Sequence, residues 1–86
     1  MNTEHNISLS AEDNLHEILM QLEAIIFASD SPVSLARLKE AFQDRYTKQE
    51  LRQYLQQLSM LMHGRSIELV ETVQGYRFQV RVKYRN

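Results

Sequence analysis

The spacing of apolar residues changes once along the chain, near Ser66, and this change limits the available folds more than any other feature. Before Ser66, apolar side chains recur at alternating intervals of three and four residues, the period of an amphipathic helix. After it, residues 67–73 are rich in β-branched side chains, and residues 76–83 alternate apolar with polar. The sequence therefore predicts a helical N-terminal part followed by a β-hairpin.

The first helix is expected over residues 10–29. Ser10 and Asp13 have the spacing of a capping box, which marks a helix start. The apolar stripe of this helix comprises Leu15, Ile18, Leu19, Leu22, Ile25 and Ile26. Pro32 follows closely, and because proline lacks an amide donor and disfavours helix in the residue before it, a turn is predicted there.

Two further helices are predicted before the hairpin. The second spans about 34–44, where Ser34 can cap a stretch with Leu35, Leu38 and Phe42 on one side. The third spans 48–62, preceded by a clear capping box formed by Thr47 and Glu50. Its apolar face is assigned to Leu51, Tyr54, Leu55, Leu58, Leu61 and Met62. Gly64 suits a left-handed C-terminal cap.

Three helices and a hairpin predict one α+β domain of the winged-helix type over residues 10–86, with a flexible tail at 1–9. The second and third helices form the helix-turn-helix, and the two-stranded hairpin is the wing. An isolated hairpin is marginally stable, so its apolar face must cover the helices. We assign that face to Tyr76, Phe78 and Val80.

Composition argues against an enzyme. The chain has no cysteine, its three histidines match no metal-ligand spacing, and its two glycines are too far apart for a phosphate-binding loop. We therefore predict no catalytic residue, no cofactor, no metal and no small-molecule substrate. No apolar run is long enough to span a membrane, and the N-terminus lacks a basic leader, so a cytoplasmic protein without membrane contact is expected.

A DNA-binding site is the first of two surfaces considered. The outward face of the third helix carries Lys48, Gln49, Arg52, Gln53 and Gln56, which could contact bases or phosphates, and the wing adds Arg77, Arg81 and Lys83. The net charge of −1 gives no general attraction to DNA. Alternatively, the wing cations only keep an edge strand soluble and unpaired.

The second surface considered is a protein-binding surface. Met20, Ala24 and Phe27 are spaced by four and three residues on a flank of the first helix outside its main stripe. These side chains either complete the core or form a surface patch for self-association, and the sequence leaves both open. Tyr46 and Tyr84 are candidates to frame such a patch.

Several segments together resemble a known family. Residues 22–29 read Leu-Glu-Ala-Ile-Ile-Phe-Ala-Ser, residues 31–34 read Ser-Pro-Val-Ser, residues 67–71 read Ile-Glu-Leu-Val-Glu, and residues 75–79 read Gly-Tyr-Arg-Phe-Gln. In order and spacing over residues 20–83, the chain resembles the N-terminal domain of the bacterial segregation and condensation protein B (ScpB) family. The family often has glycine in the turn before the proline, where this chain has Asp30 and Ser31.

The resemblance implies a non-enzymatic accessory subunit of the bacterial condensin, the SMC-kleisin complex, acting in chromosome condensation and segregation. Family members have two consecutive winged-helix domains, of which this chain would be the first. The resemblance implies that this domain forms the homodimer and that the kleisin subunit is bound mainly by the second domain. A winged-helix transcriptional regulator that binds DNA through the third helix and the wing is the alternative.

Overall fold

A computed structural model describes the backbone of residues 11–86 and the side chains from Asn14 onward. The predicted tail at 1–9 and the side chains of the predicted Ser10 and Asp13 capping box lie outside the described residues. Residues 11–86 contain three α-helices in the predicted order: α1 (Ala11–Ala28), α2 (Leu35–Ala41) and α3 (Lys48–Leu61).

The predicted caps of α2 and α3 are confirmed. The Ser34 hydroxyl accepts a hydrogen bond of 3.0 Å from the Arg37 amide at the start of α2. At the start of α3, the Thr47 hydroxyl accepts from the Glu50 amide at 3.0 Å, and the Glu50 carboxylate accepts from the Thr47 amide at 2.8 Å. These bonds satisfy donors that a helix leaves unpaired at its N-terminus.

Helix α2 ends at Ala41, so the predicted end near Asp44 is wrong. Gln43 and Asp44 have φ angles of 57° and 60°, a left-handed conformation that cannot continue a right-handed helix. The Asp44 amide instead donates to the Lys39 carbonyl at 2.9 Å, which closes the helix C-terminus. Asparagine, aspartate and glycine favour this conformation, but Gln43 gives no such signal in sequence.

The hairpin consists of β1 (Ile67–Thr72) and β2 (Gly75–Val80), which pair antiparallel with Ile67 opposite Val80 and Thr72 opposite Gly75. The predicted extension of the second strand to Lys83 is wrong, because residues Val82–Tyr84 form a short 3₁₀ turn. The Arg81 amide makes a last bond to Ser66 at 2.8 Å. Because β1 begins at Ile67, the chain beyond Arg81 has no strand to pair with.

A third segment of extended chain lies on the outer edge of β2. The Val33 amide donates to the Tyr76 carbonyl, and the Tyr76 amide donates to the Val33 carbonyl, both at 2.9 Å. This bridge joins the turn between α1 and α2 to the wing. Gly75 lies against the same segment with a φ of 142°, a conformation that side chains rarely adopt.

The core lies between the three helices and one face of the hairpin. Its most deeply buried side chains are Leu22, Leu38, Leu51, Leu55 and Leu58. Tyr76 is buried and Phe78 is half-buried against this core, as predicted, whereas Val80 is 41% exposed beside a surface hollow. Leu61, assigned to the apolar face of α3, is 52% exposed because it lies at the last position of the helix.

This arrangement confirms the predicted α+β winged-helix class: three helices followed by a two-stranded antiparallel hairpin. Within the part of the chain that the structure describes, no helix is long and apolar enough to cross a membrane.

Candidate functional site

The largest exposed apolar side chain of α1 is Phe27, which is 80% exposed. It borders a groove of about 470 Å³ between the C-terminal half of α1, the end of α3 and the hairpin. We call this the Phe27 groove, and its lining residues are Met20, Glu23, Phe27, Leu61, Met62, Arg65, Ile67 and Phe78. Its walls are mainly apolar, and the charged groups are one carboxylate and one guanidinium.

A second hollow, of about 370 Å³, adjoins the Phe27 groove. Both concavities are lined by Phe27, Ile67 and Phe78, so these three residues form their shared wall. The second hollow adds Ile26, Pro32 and Val80 to the apolar surface. An apolar surface of this kind, with a projecting aromatic and a hollow on each side, is typical of a protein contact.

The structure brings together only part of the predicted self-association residues. Met20 and Phe27 both line the groove, and Ala24 is exposed but is not one of the lining residues. Tyr46 packs edge-on against Phe42, with ring centroids 5.4 Å apart. Tyr84 is exposed in the 3₁₀ turn, so neither tyrosine borders the groove.

Six groove residues were not among the predicted site residues. Leu61, Met62 and Phe78 were assigned to the core, Ile67 was considered only as a strand residue, and Glu23 and Arg65 were given no role in the site. For Leu61 the sequence carried one usable signal, its place three residues before Gly64, the predicted cap at the end of α3. The packing of α1 against the hairpin, which brings Ile67 and Phe78 to the groove, leaves no local pattern in the sequence.

All the predicted DNA-contacting residues of α3 are exposed on its outward face. They are Lys48, Gln49, Arg52, Gln53 and Gln56. Arg52 shares a hollow of about 350 Å³ with Glu71 and Tyr76. Burial raises the pKa of Tyr76, and the neighbouring Glu71 carboxylate raises this pKa further, against a smaller opposing effect of Arg52. The carboxylate beside Arg52 thus offsets part of the positive charge that a phosphate would meet.

Arg81 lies in a different position from the one predicted for it. Its guanidinium donates to the Arg65 carbonyl at 2.6 Å and to the Met62 carbonyl at 2.8 Å, and it pairs with the Glu68 carboxylate at 3.3 Å. The Met62 carbonyl belongs to the C-terminal cap of α3, where a cation is favourable. These contacts hold the guanidinium against the domain, whereas the predicted DNA contact would need it directed outward from the wing.

The other predicted wing cations have weaker contacts. Arg77 is exposed and donates to the Gln79 side chain at 3.2 Å. The Lys83 ammonium lies 5.2 Å from the centre of the Tyr84 ring. Both remain at the surface, where they are available to solvent or to an anionic partner.

The residues that the structure describes contain no group of three or more histidine, aspartate and glutamate side chains placed to hold a metal ion. The prominent surface feature in this part of the chain is the apolar Phe27 groove.

The capped helix-turn-helix, the wing and the apolar groove define a winged-helix protein with a surface suited to protein contacts. A family model described as segregation and condensation complex subunit ScpB matches residues 20–86. The chain belongs to this family, and the predicted resemblance is confirmed.

Solved structures agree with this assignment. A conserved hypothetical protein from Chlorobium tepidum is 28% identical, with a TM-score of 0.76 over 85% of this chain. ScpB from Mycobacterium tuberculosis is 25% identical, with a TM-score of 0.73 over 90% of this chain. The chain spans 46% of each of these two proteins. No curated protein matches the sequence.

Proposed function

We propose that this chain is a self-associating adaptor domain of the bacterial condensin, acting in chromosome condensation and segregation. It would hold proteins together in the cytoplasm, at the nucleoid, without transforming a substrate. Membership of the ScpB family supports a role in this complex. The observation that carries the adaptor role is the exposed Phe27 beside an apolar groove of the same molecule.

The physical argument concerns the free energy of apolar surface in water. Burying a phenylalanine side chain completely gains about 1.5–3 kcal/mol relative to leaving it exposed. A contact between two copies related by a two-fold axis buries the same residues twice, so the gain is doubled. Met20, Leu61 and Phe78 in the groove add further apolar area. Burial of this apolar surface is therefore the term that offsets the translational and rotational entropy that two copies lose on association.

The kleisin subunit is the proposed partner outside the homodimer. We assign most of its contact to a second winged-helix domain, which the family resemblance implies. The chain spans 46% of each of the two solved structures, and this proportion is consistent with one domain of two. The role of the present domain is then to join two copies of the subunit.

We expect Phe27→Glu to convert a dimer into a monomer. A carboxylate at this position would have to lose its hydration on entering the contact, and this cost opposes association. Sedimentation velocity across a dilution series measures the result, with an expected rise of about 100-fold or more in the dissociation constant for a central aromatic residue.

The matched control is Val73→Glu, because Val73 is fully exposed in the hairpin turn and does not line the groove. This variant should dimerise like the wild type. A wild-type chain that stays monomeric at the highest concentration tested would refute the proposed self-association.

The DNA-binding regulator is the second candidate, and the observation in its favour is the exposed polar face of α3. We expect only weak binding to a fluorescent duplex. In a plot of the logarithm of affinity against the logarithm of salt concentration, each contacted phosphate adds about −0.9 to the slope. A surface with few cations available to phosphates therefore gives a shallow slope.

The corresponding test compares Arg52→Gln and Arg77→Gln with the wild type over a range of salt concentrations. Tight duplex binding with a steep salt dependence that both substitutions reduce would favour the regulator over the adaptor.

A further inference from the structure

Two opposite charges line the Phe27 groove. Glu23 lies on α1, and Arg65 lies in the loop between α3 and β1. Neither side chain forms an ion pair or a side-chain hydrogen bond with another side chain that the structure describes. The Arg65 carbonyl accepts the Arg81 guanidinium at 2.6 Å, so the backbone of Arg65 is held in place while its own side chain is exposed.

The placement of these charges suits a two-fold contact. In such a contact, residue i of one copy meets residue j of the other, and j meets i. Glu23 and Arg65 come from different elements that meet at the same groove. Rotating a second copy by 180° about an axis through this surface exchanges the two elements. Each carboxylate can then face the guanidinium of the other copy.

We propose that the Phe27 groove receives a second copy of this chain by a two-fold rotation, with Glu23 of each copy paired to Arg65 of the other. This inference rests on the self-association in the proposed function and adds its geometry. The two Phe27 side chains lie near the axis, and the two ion pairs flank them.

A second copy fits this surface better than an unrelated protein for a reason of chemistry. The groove and the adjoining hollow carry a projecting aromatic, apolar concavities to receive one, and two charges of each sign: Glu23 and Arg65 in the groove, and Asp30 and Arg77 in the hollow. Each element therefore finds its complement within the same surface. The charges in the groove cancel, and the net charge of the chain is −1, so two copies experience little mutual repulsion.

The test uses the full chain in four forms: wild type, Glu23→Arg, Arg65→Glu, and an equimolar mixture of the two variants. In a dimer of Glu23→Arg, arginine faces arginine, and in a dimer of Arg65→Glu, glutamate faces glutamate. Each variant alone should dimerise about tenfold or more weakly than wild type, because like charges then oppose each other twice. In the mixed dimer both pairs have opposite charges.

The mixture should therefore form heterodimers with an affinity within about threefold of the wild-type value. Each of the two pairs still joins opposite charges, and only the residues that carry them differ from the wild type. Analytical ultracentrifugation of the mixture, with one variant carrying a fluorescent label, measures this directly. Recovery in the mixture also shows that each variant is folded, and circular dichroism of the separate variants checks the same point.

The matched control is Arg37→Glu, an equal charge reversal at an exposed position of α2 outside the groove, which should leave dimerisation unchanged. A dimeric wild type with unaffected single variants, or a mixture no tighter than either variant alone, overturns the pairing and leaves the self-association standing. A strictly monomeric wild type overturns both proposals, and the groove would then be assigned to a different protein.

Discussion

Replacing Gly75 by alanine should lower the free energy of unfolding by about 2–5 kcal/mol, from the combined cost of a strained backbone and an overpacked contact. A Cβ atom at position 75 would overlap the backbone carbonyl of Val33 and lie 2.7 Å from the Ser34 nitrogen. The glycine φ of 142° is unfavourable for alanine as well. Both the wing and the turn before α2 would have to move apart.

Gly64→Ala is the matched control for this substitution. Gly64 also has a positive φ, of 81°, but no atom lies within 4 Å of the position of an added Cβ. It should therefore lose only about 1 kcal/mol, the cost of the left-handed backbone. Urea unfolding followed by circular dichroism at one protein concentration compares the two variants. Equal losses would show that close approach to Val33 does not limit position 75.

Replacing Arg81 by methionine should lower the free energy of unfolding by about 2–3 kcal/mol, because hydrogen bonds from charged groups are each worth more than neutral ones. The Met62 and Arg65 carbonyls would lose their donor, and Glu68 would lose its ionic partner. Methionine retains much of the aliphatic volume of arginine. The loss therefore reports mainly on the polar contacts.

Arg77→Met provides the comparison for Arg81, because Arg77 lies on β2, four residues earlier, and is exposed. Among the residues that the structure describes, the Arg77 guanidinium hydrogen-bonds only the Gln79 side chain. Its expected effect is below about 0.5 kcal/mol. Arg81→Lys should recover only part of the stability, since an ammonium cannot reproduce three divergent donors of a planar guanidinium. A stability of Arg81→Met equal to that of Arg77→Met would contradict the assigned contacts.

The order and type of the elements could be predicted because they depend on local chemistry. The capping box of Thr47 and Glu50 and the cap by Ser34 need only residues three positions apart, and both are present. Gly64 has the predicted left-handed conformation. The alternation around Tyr76 and Phe78 placed these two side chains on the correct face of the wing.

The remaining features depend on contacts between distant parts of the chain. The second strand ends at Val80 because its partner begins at Ile67. The alternation of apolar and polar residues in one strand carries no information about where the partner strand begins. Arg81 looks like one more surface cation in sequence, yet its partners include carbonyls at the end of α3. The Phe27 groove joins three separate elements, and helical spacing identified only Met20 and Phe27 of its lining residues as surface candidates.

The bridge between Val33 and Tyr76 has a consequence for how the groove can bind. It fixes the strand that carries Phe78 to the chain segment directly after α1, by two hydrogen bonds of 2.9 Å. The walls of the groove are therefore preorganised before any partner arrives. Docking then loses little conformational entropy, and more of the gain from burying apolar surface remains as affinity.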